Sequence, residues 1–145
     1  ETCGRGALTL LGKAEAVVEP GESWPFVGVV ALSCGAESVN VNTMALQTGV
    51  WPLRVALEGV SIGVGPNGEW QLQGTMRNDS GALVAFPRVV VTLRGSQGEF
   101  LTAAVAYGSA ETLEVGQTAP FTVSIAPERT VGWAGYSAIG TGERR

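Results

Sequence analysis

Trp70-Gln71-Leu72-Gln73-Gly74-Thr75-Met76-Arg77-Asn78-Asp79-Ser80 is the stretch whose reading decides the fold. Trp70, Leu72, Gly74 and Met76 fall on one side of an extended chain, and Gln71, Gln73, Thr75 and Arg77 on the other. Side chains alternate across a strand, so this is a strand with one buried and one wet face. The same period recurs outward from it. Val89, Val91 and Leu93 face inward, with Arg88, Thr92 and Arg94 outward. Leu101, Ala103, Val105 and Tyr107 make a third strand, and Phe121, Val123 and Ile125 a fourth. Upstream, Leu53, Val55 and Leu57 alternate; the phase then slips at Glu58-Gly59 before Val60, Ile62 and Val64 continue, which predicts a β-bulge. Val39 and Val41 begin a similar strand.

Turn chemistry separates these runs. Gly65-Pro66-Asn67-Gly68 places Pro where φ is already fixed and follows it with residues that tolerate positive φ. Asn78-Asp79-Ser80-Gly81 and Gly95-Ser96-Gln97-Gly98 read as two further hairpin loops. No helical period competes with them. The 145 residues, one domain's length or two small ones, are 45% hydrophobic and 15% charged, which supplies a core and excludes disorder. The 21 Gly and seven Pro suit short strands and turns. The expectation is an all-β chain built as a sandwich or barrel. No apolar run approaches the roughly 20 residues of a membrane-spanning helix, so no direct membrane insertion is expected.

Net charge is −4, and the nine cations are scattered except for Arg144-Arg145. A nucleic-acid partner is therefore not expected, because phosphate binding needs a basic stripe. The two cysteines, Cys3 and Cys34, lie 31 positions apart and form no metal or redox motif. They are read as a structural disulfide, worth about 3–4 kcal/mol by loop closure, or as two buried thiols. With a start at Glu1, the chain reads as a mature exported fragment: secreted, periplasmic or on the cell surface.

An internal repeat links Val18-Glu19-Pro20-Gly21-Glu22-Ser23-Trp24-Pro25-Phe26 to Leu113-Glu114-Val115-Gly116-Gln117-Thr118-Ala119-Pro120-Phe121. The shared frame is apolar-Glu-x-Gly-x-x-x-Pro-Phe. It predicts the same turn-then-strand geometry in both copies, with Phe26 and Phe121 buried. The copies are unequal. Residues 1–46 form a partial repeat lacking its early strands, 47–52 a connection, and 53–145 a complete unit. The apolar run Pro25-Phe26-Val27-Gly28-Val29-Val30-Ala31-Leu32 must be covered, either within the chain or by pairing with the same segment of a second molecule as a homodimer.

Residues 53–142 resemble the FxLYD-type domain of bacterial and archaeal exported proteins, with a partial second copy at about 12–46. Gly74-Thr75-Met76-Arg77-Asn78-Asp79-Ser80 is similar to its Gly-x-apolar-x-Asn-x-Ser strand and turn. Val89-Val90-Val91-Thr92-Leu93 followed by Gly98 resembles its central strand, and Leu113 to Phe121 its Leu-x-Pro-Gly-x-x-x-x-Phe element. The namesake motif is degenerate: Val91, Leu93, Arg94 and Gly95 stand where Phe, Leu, Tyr and Asp are usual, and Val115 replaces Pro. The resemblance implies an immunoglobulin-like antiparallel β-sandwich, with the N-terminal partial repeat packed on it or on a partner chain. It implies no catalytic residue and no cofactor.

Candidate chemistry is sparse. Gly63-Val64-Gly65-Pro66-Asn67-Gly68 fits G-x-G-x-x-G, but a strand rather than a helix follows, so a hairpin is expected. Asn78-Asp79-Ser80 is a sequon whose alternative reading is a turn Asn bonding its own backbone. Glu19 with Glu22 and Glu111 with Glu114 flank turns. There is no histidine, which removes Ser-His and Cys-His nucleophiles, and one Asp argues against a calcium site. No metal, cofactor or catalytic residue is expected. Trp70 and Trp133 read as core. Trp24 and Trp51 sit at a turn and a connection and are each a local plug or a partner contact. The expectation is a non-enzymatic interaction or scaffold module with a protein or glycan partner at the cell surface. The alternative is a carbohydrate- or peptide-binding module using exposed Trp; a hydrolase ranks third.

Overall fold

The period-two runs become strands in the computed structural model, which describes residues 52–144, part of a unit running Val50–Arg145. Cys3, Cys34, Trp24, Trp51, the 18–26 element and the partial repeat over 1–46 lie outside the described residues. The strands are β1 (Pro52–Val64), β2 (Trp70–Arg77), β3 (Val84–Gly95), β4 (Phe100–Tyr107), β5 (Thr112–Leu113), β6 (Thr118–Ile125) and β7 (Trp133–Arg144), with a 3-10 turn at Pro127–Arg129. All pair antiparallel in the order β4-β3-β7-β1-β2-β6, with β5 beside the start of β3. The all-β expectation is met by one curled sheet.

β1 makes the curl. Its first residues pair with β7, ending at Val55 opposite Gly140, and from Ala56 opposite Arg77 it pairs with β2 instead. A side chain at Gly140 would block the passage, because a Cβ there would lie 2.5 Å from the Val55 carbonyl oxygen and 2.8 Å from Leu57 Cδ2. The bulge expected at Glu58-Gly59 is present: Glu58 faces Thr75 and Ser61 faces Gln73, with Gly59 at φ +58°. An L side chain would be strained at that φ, and the extra residue adds twist where the strand changes partners. The core lies inside the curl, built from Leu72, Met76, Val84, Val89, Val91, Leu93, Leu113, Phe121, Val123 and Ile125. Phe121 is buried as the repeat frame requires.

Three sequence expectations change. Arg88 and Thr92 were expected to face solvent, yet both are buried. β3 is a central strand, and their side chains stand between Tyr107 and Ala103 of β4 and Thr141 and Ser137 of β7. Alternation shows which face a residue takes; it does not show whether flanking rows cover that face. In β4 the phase is reversed. Thr102, Ala104 and Ala106 lie opposite the inward Leu93, Val91 and Val89, so Ala103, Val105 and Tyr107 point outward. The register break between Leu93 and Arg94 shifts the strand by one residue, and Leu101 still packs on the core. Finally, Asn78–Gly81 is no hairpin loop, because β2 and β3 do not pair; it carries the chain between the two halves of the sheet.

Asn78 holds that crossing. It is fully buried, and its Nδ2 donates to the carbonyls of Ala82 at 2.7 Å and Leu113 at 2.8 Å. Its Oδ1 accepts from Ser80 N at 3.0 Å and Ser80 Oγ at 2.7 Å. Its backbone N–H donates to Gln117 O at 3.0 Å, and its carbonyl accepts from Gly116 N at 2.7 Å. The turn reading of the sequon is therefore the structural one, extended to a second turn 35 residues away. Asn78→Ala leaves buried partners unpaired on both turns and should cost about 2–4 kcal/mol in denaturant unfolding. Gly140→Ala forces β1 away from β7 and should cost about 1–3 kcal/mol in the same measurement.

Candidate functional site

The end of the sheet that carries the β1–β2 and β3–β4 hairpins gathers an exposed aromatic surface around Trp133 and Tyr136. Both hairpins close in the same way. Gly68 N donates to Gly65 O and Gly98 N to Gly95 O, each at 3.0 Å, while Glu69 and Glu99 fold back to accept from Asn67 N at 2.9 Å and Gln97 N at 3.0 Å. The G-x-G-x-x-G sequence is thus a hairpin, as expected. Its return places Trp70 at the start of β2, opposite Val64.

Trp70 is 4% exposed and forms the floor of the site. Trp133 stands edge-on to it with ring centroids 5.7 Å apart, and Tyr136 likewise at 6.0 Å. The Trp70 Nε1–H has no hydrogen-bond partner, so this ring is held by packing and edge contacts alone. Trp133 was expected in the core, but it is 37% exposed, as is Tyr136 at 40%. β7 places both at the rim, since Trp133 lies opposite Gly95 at the last pair of the β3 ladder.

Ile62 and Val64 complete the surface. They lie opposite Leu72 and Trp70, on the inward face as the phase slip predicts, yet they are 43% and 78% exposed. The reason is the crossing of β1. Beyond Val55 it has left β7, and among the described residues no strand lies alongside β7 over Trp133–Ile139. The inward face is therefore open at this end.

The edges of the sheet are treated differently. β4 and β6 approach each other at the seam without pairing. Arg129 Nη2 bridges it, donating to Thr102 Oγ1 at 2.6 Å and to the Ala103 carbonyl at 3.0 Å. β6 carries Pro120, which has no N–H to offer. The open part of β7 reads Trp133-Ala134-Gly135-Tyr136-Ser137-Ala138-Ile139, with no charge and no Pro.

Among the described residues no three His, Cys, Asp or Glu side chains gather to hold a metal, and no helix is long and apolar enough to cross a membrane. Of the ion pairs, Arg77 Nε to Glu58 Oε1 at 2.8 Å links β2 to β1 at the surface, and the buried Arg88 lies 3.7 Å from Glu143 Oε1, joining β3 to β7. A shallow hollow of about 220 Å³ lies elsewhere, between Phe86, Pro87, Tyr107 and Ser109. The sequence singled out neither Tyr136 nor the exposure of Ile62 and Val64. The available signal was the alternation of Tyr136 and Ala138 with Ser137 and Ile139, obscured by Gly135, Gly140 and Gly142.

No family model, curated protein or solved structure matches the chain. Trp70→Ala should cost about 3–5 kcal/mol, as a buried aromatic. Trp133→Ala should cost no more than about 1.5 kcal/mol, the scale of an edge contact at a rim. Denaturation of both variants checks this division into floor and rim.

Proposed function

We propose that this chain is a non-catalytic interaction module whose contact surface is the open aromatic end formed by Trp133, Tyr136, Ile62 and Val64 on the Trp70 floor. The observation that carries this is large apolar exposure on an inward-facing surface, at a place where, among the described residues, no strand lies alongside β7 beyond Val55. Contiguous exposed apolar surface with aromatic anchors suits partner binding. In this reading the curled sheet is the immunoglobulin-like sandwich of an FxLYD-type domain. The module works in an exported or surface setting, which the paired-cysteine reading of Cys3 and Cys34 also suits.

A glycan partner is the second reading, because Trp133 and Tyr136 side by side offer rings on which a sugar can stack. Arrays of glycans and of extended apolar peptides, probed with the wild-type chain and with Trp133→Ala, separate the readings. The proposal predicts peptide signals that Trp133→Ala reduces by about tenfold, taking the loss as about 1.4 kcal/mol at one anchor. Glycan signals lost in the same variant would favour the second reading. Signals identical in both proteins would remove this surface from consideration.

A further inference from the structure

We infer that the hollow between the start of β3 and the β4–β5 connection takes one arginine side chain of a partner polypeptide. Phe86 and Tyr107 stack on its guanidinium, and the Glu111 carboxylate pairs with it. The hollow lies at the far end of β3 from Gly95, where Trp133 stands, so it is a second site beyond the aromatic rim.

The hollow is built on a backbone outlier. Phe86 has φ +48°, the one positive φ outside glycine among the described residues. The β3–β7 ladder steps from Ala85 opposite Glu143 to Arg88 opposite Thr141, so Phe86 and Pro87 together face Gly142. This is a bulge, and glycine is the residue that takes a left-handed bulge position without strain. A phenylalanine there is strained and persists because its surroundings hold it. Phe86 N donates to Glu111 O, and Gly108 N donates to Pro87 O, each at 2.7 Å. These two bonds clasp the β4–β5 connection to the bulge on either side of the hollow. The Phe86 ring so held stays 43% exposed, and Tyr107 54%. Backbone strain spent on presenting a half-exposed aromatic points to a ligand contact.

The lining selects the occupant. The hollow measures about 220 Å³ and is walled largely by Phe86, Pro87, Tyr107 and Ala110. That is below the roughly 300 Å³ at which small-molecule sites begin, and suits a single side chain. Glu111 is the one carboxylate of the lining. Among the described residues that carboxylate has no hydrogen bond or ion pair. Arg88, opposite Tyr107 in the ladder, does not line the hollow and lies 3.7 Å from Glu143. A methylene stem ending in a cation therefore matches both the apolar wall and the charge, and the net charge of −4 favours a basic partner. Arginine fits better than lysine, because a guanidinium stacks flat on a ring and meets a carboxylate through two parallel N–H bonds.

NMR titration of the full chain with a blocked pentapeptide of glycine and serine around one arginine tests this. The control is the same peptide with citrulline, the uncharged isostere. Saturable shifts at Phe86, Tyr107 and Gly108 to Glu111 are expected at millimolar peptide, with citrulline about tenfold weaker. Glu111→Gln should weaken arginine binding about three- to tenfold with an unchanged thermal midpoint. Phe86→Gly should weaken it about tenfold with a midpoint no lower than wild type, since glycine accepts the φ that strains phenylalanine. If Phe86→Gly unfolds early, Glu111→Gln alone decides. The inference is overturned by the absence of saturable shifts, by citrulline binding as tightly as arginine, or by Glu111→Gln binding like wild type. Trp133→Ala should bind the arginine peptide as wild type does, so failure at the hollow leaves the reading of the aromatic rim untouched.

Discussion

β1 cannot serve both halves of the sheet along its whole length, and the site follows from where it changes sides. Up to Val55 it lies beside β7; from Ala56 it lies beside β2. Gly140 provides the room for that step, and the bulge at Gly59 provides the twist. The strand that stitches the sheet closed at one end therefore leaves it open at the other. Ile62 and Val64 face inward yet stay exposed, and among the described residues no strand lies beside β7 from Trp133 to Ile139.

The opening is tolerated because the rest of the curl is held elsewhere. Asn78 ties the β2–β3 crossing to the β5–β6 turn through bonds at both ends of its amide. Arg129 ties the β6–β7 connection to β4 across the unpaired seam. These are buried or part-buried polar contacts, and losing one partner costs the desolvation of the other. Between them they tie β2, β4 and β6 together while, among the described residues, no strand fills the position beside Trp133. The aromatic rim then rests on the buried Trp70.

Much of this was legible in the residues. Alternation at Trp70–Met76 and Phe121–Ile125, the phase slip at Glu58-Gly59, and the hairpins at Gly65–Gly68 and Gly95–Gly98 all read correctly from local rules. Those signals are local because each depends on a side-chain period or a turn conformation. The failures are non-local. Arg88 and Thr92 are buried by neighbours that pairing brings in, and the one-residue shift near Arg94 reversed the faces of β4. Asn78-Asp79-Ser80-Gly81 has hairpin chemistry but joins strands that do not pair. β7 escaped notice because Gly140 and Gly142 stand at inward positions, where close backbone packing against β1 and β3 excludes side chains and erases the apolar period. The candidate site lies on that strand, so its legibility was poor for the same reason.

Residue-resolved amide exchange along β7, in dilute protein, tests the central claim that β1 abandons this strand beyond Val55. Between Trp133 and Ile139, alternate amides should be protected by β3 while the intervening ones, aimed at the open edge, exchange rapidly. From Gly140 to Glu143, where β1 and β3 flank the strand together, both sets should be slow. Uniform protection from Trp133 through Glu143 would mean the edge is covered in the monomer, and would contradict the account.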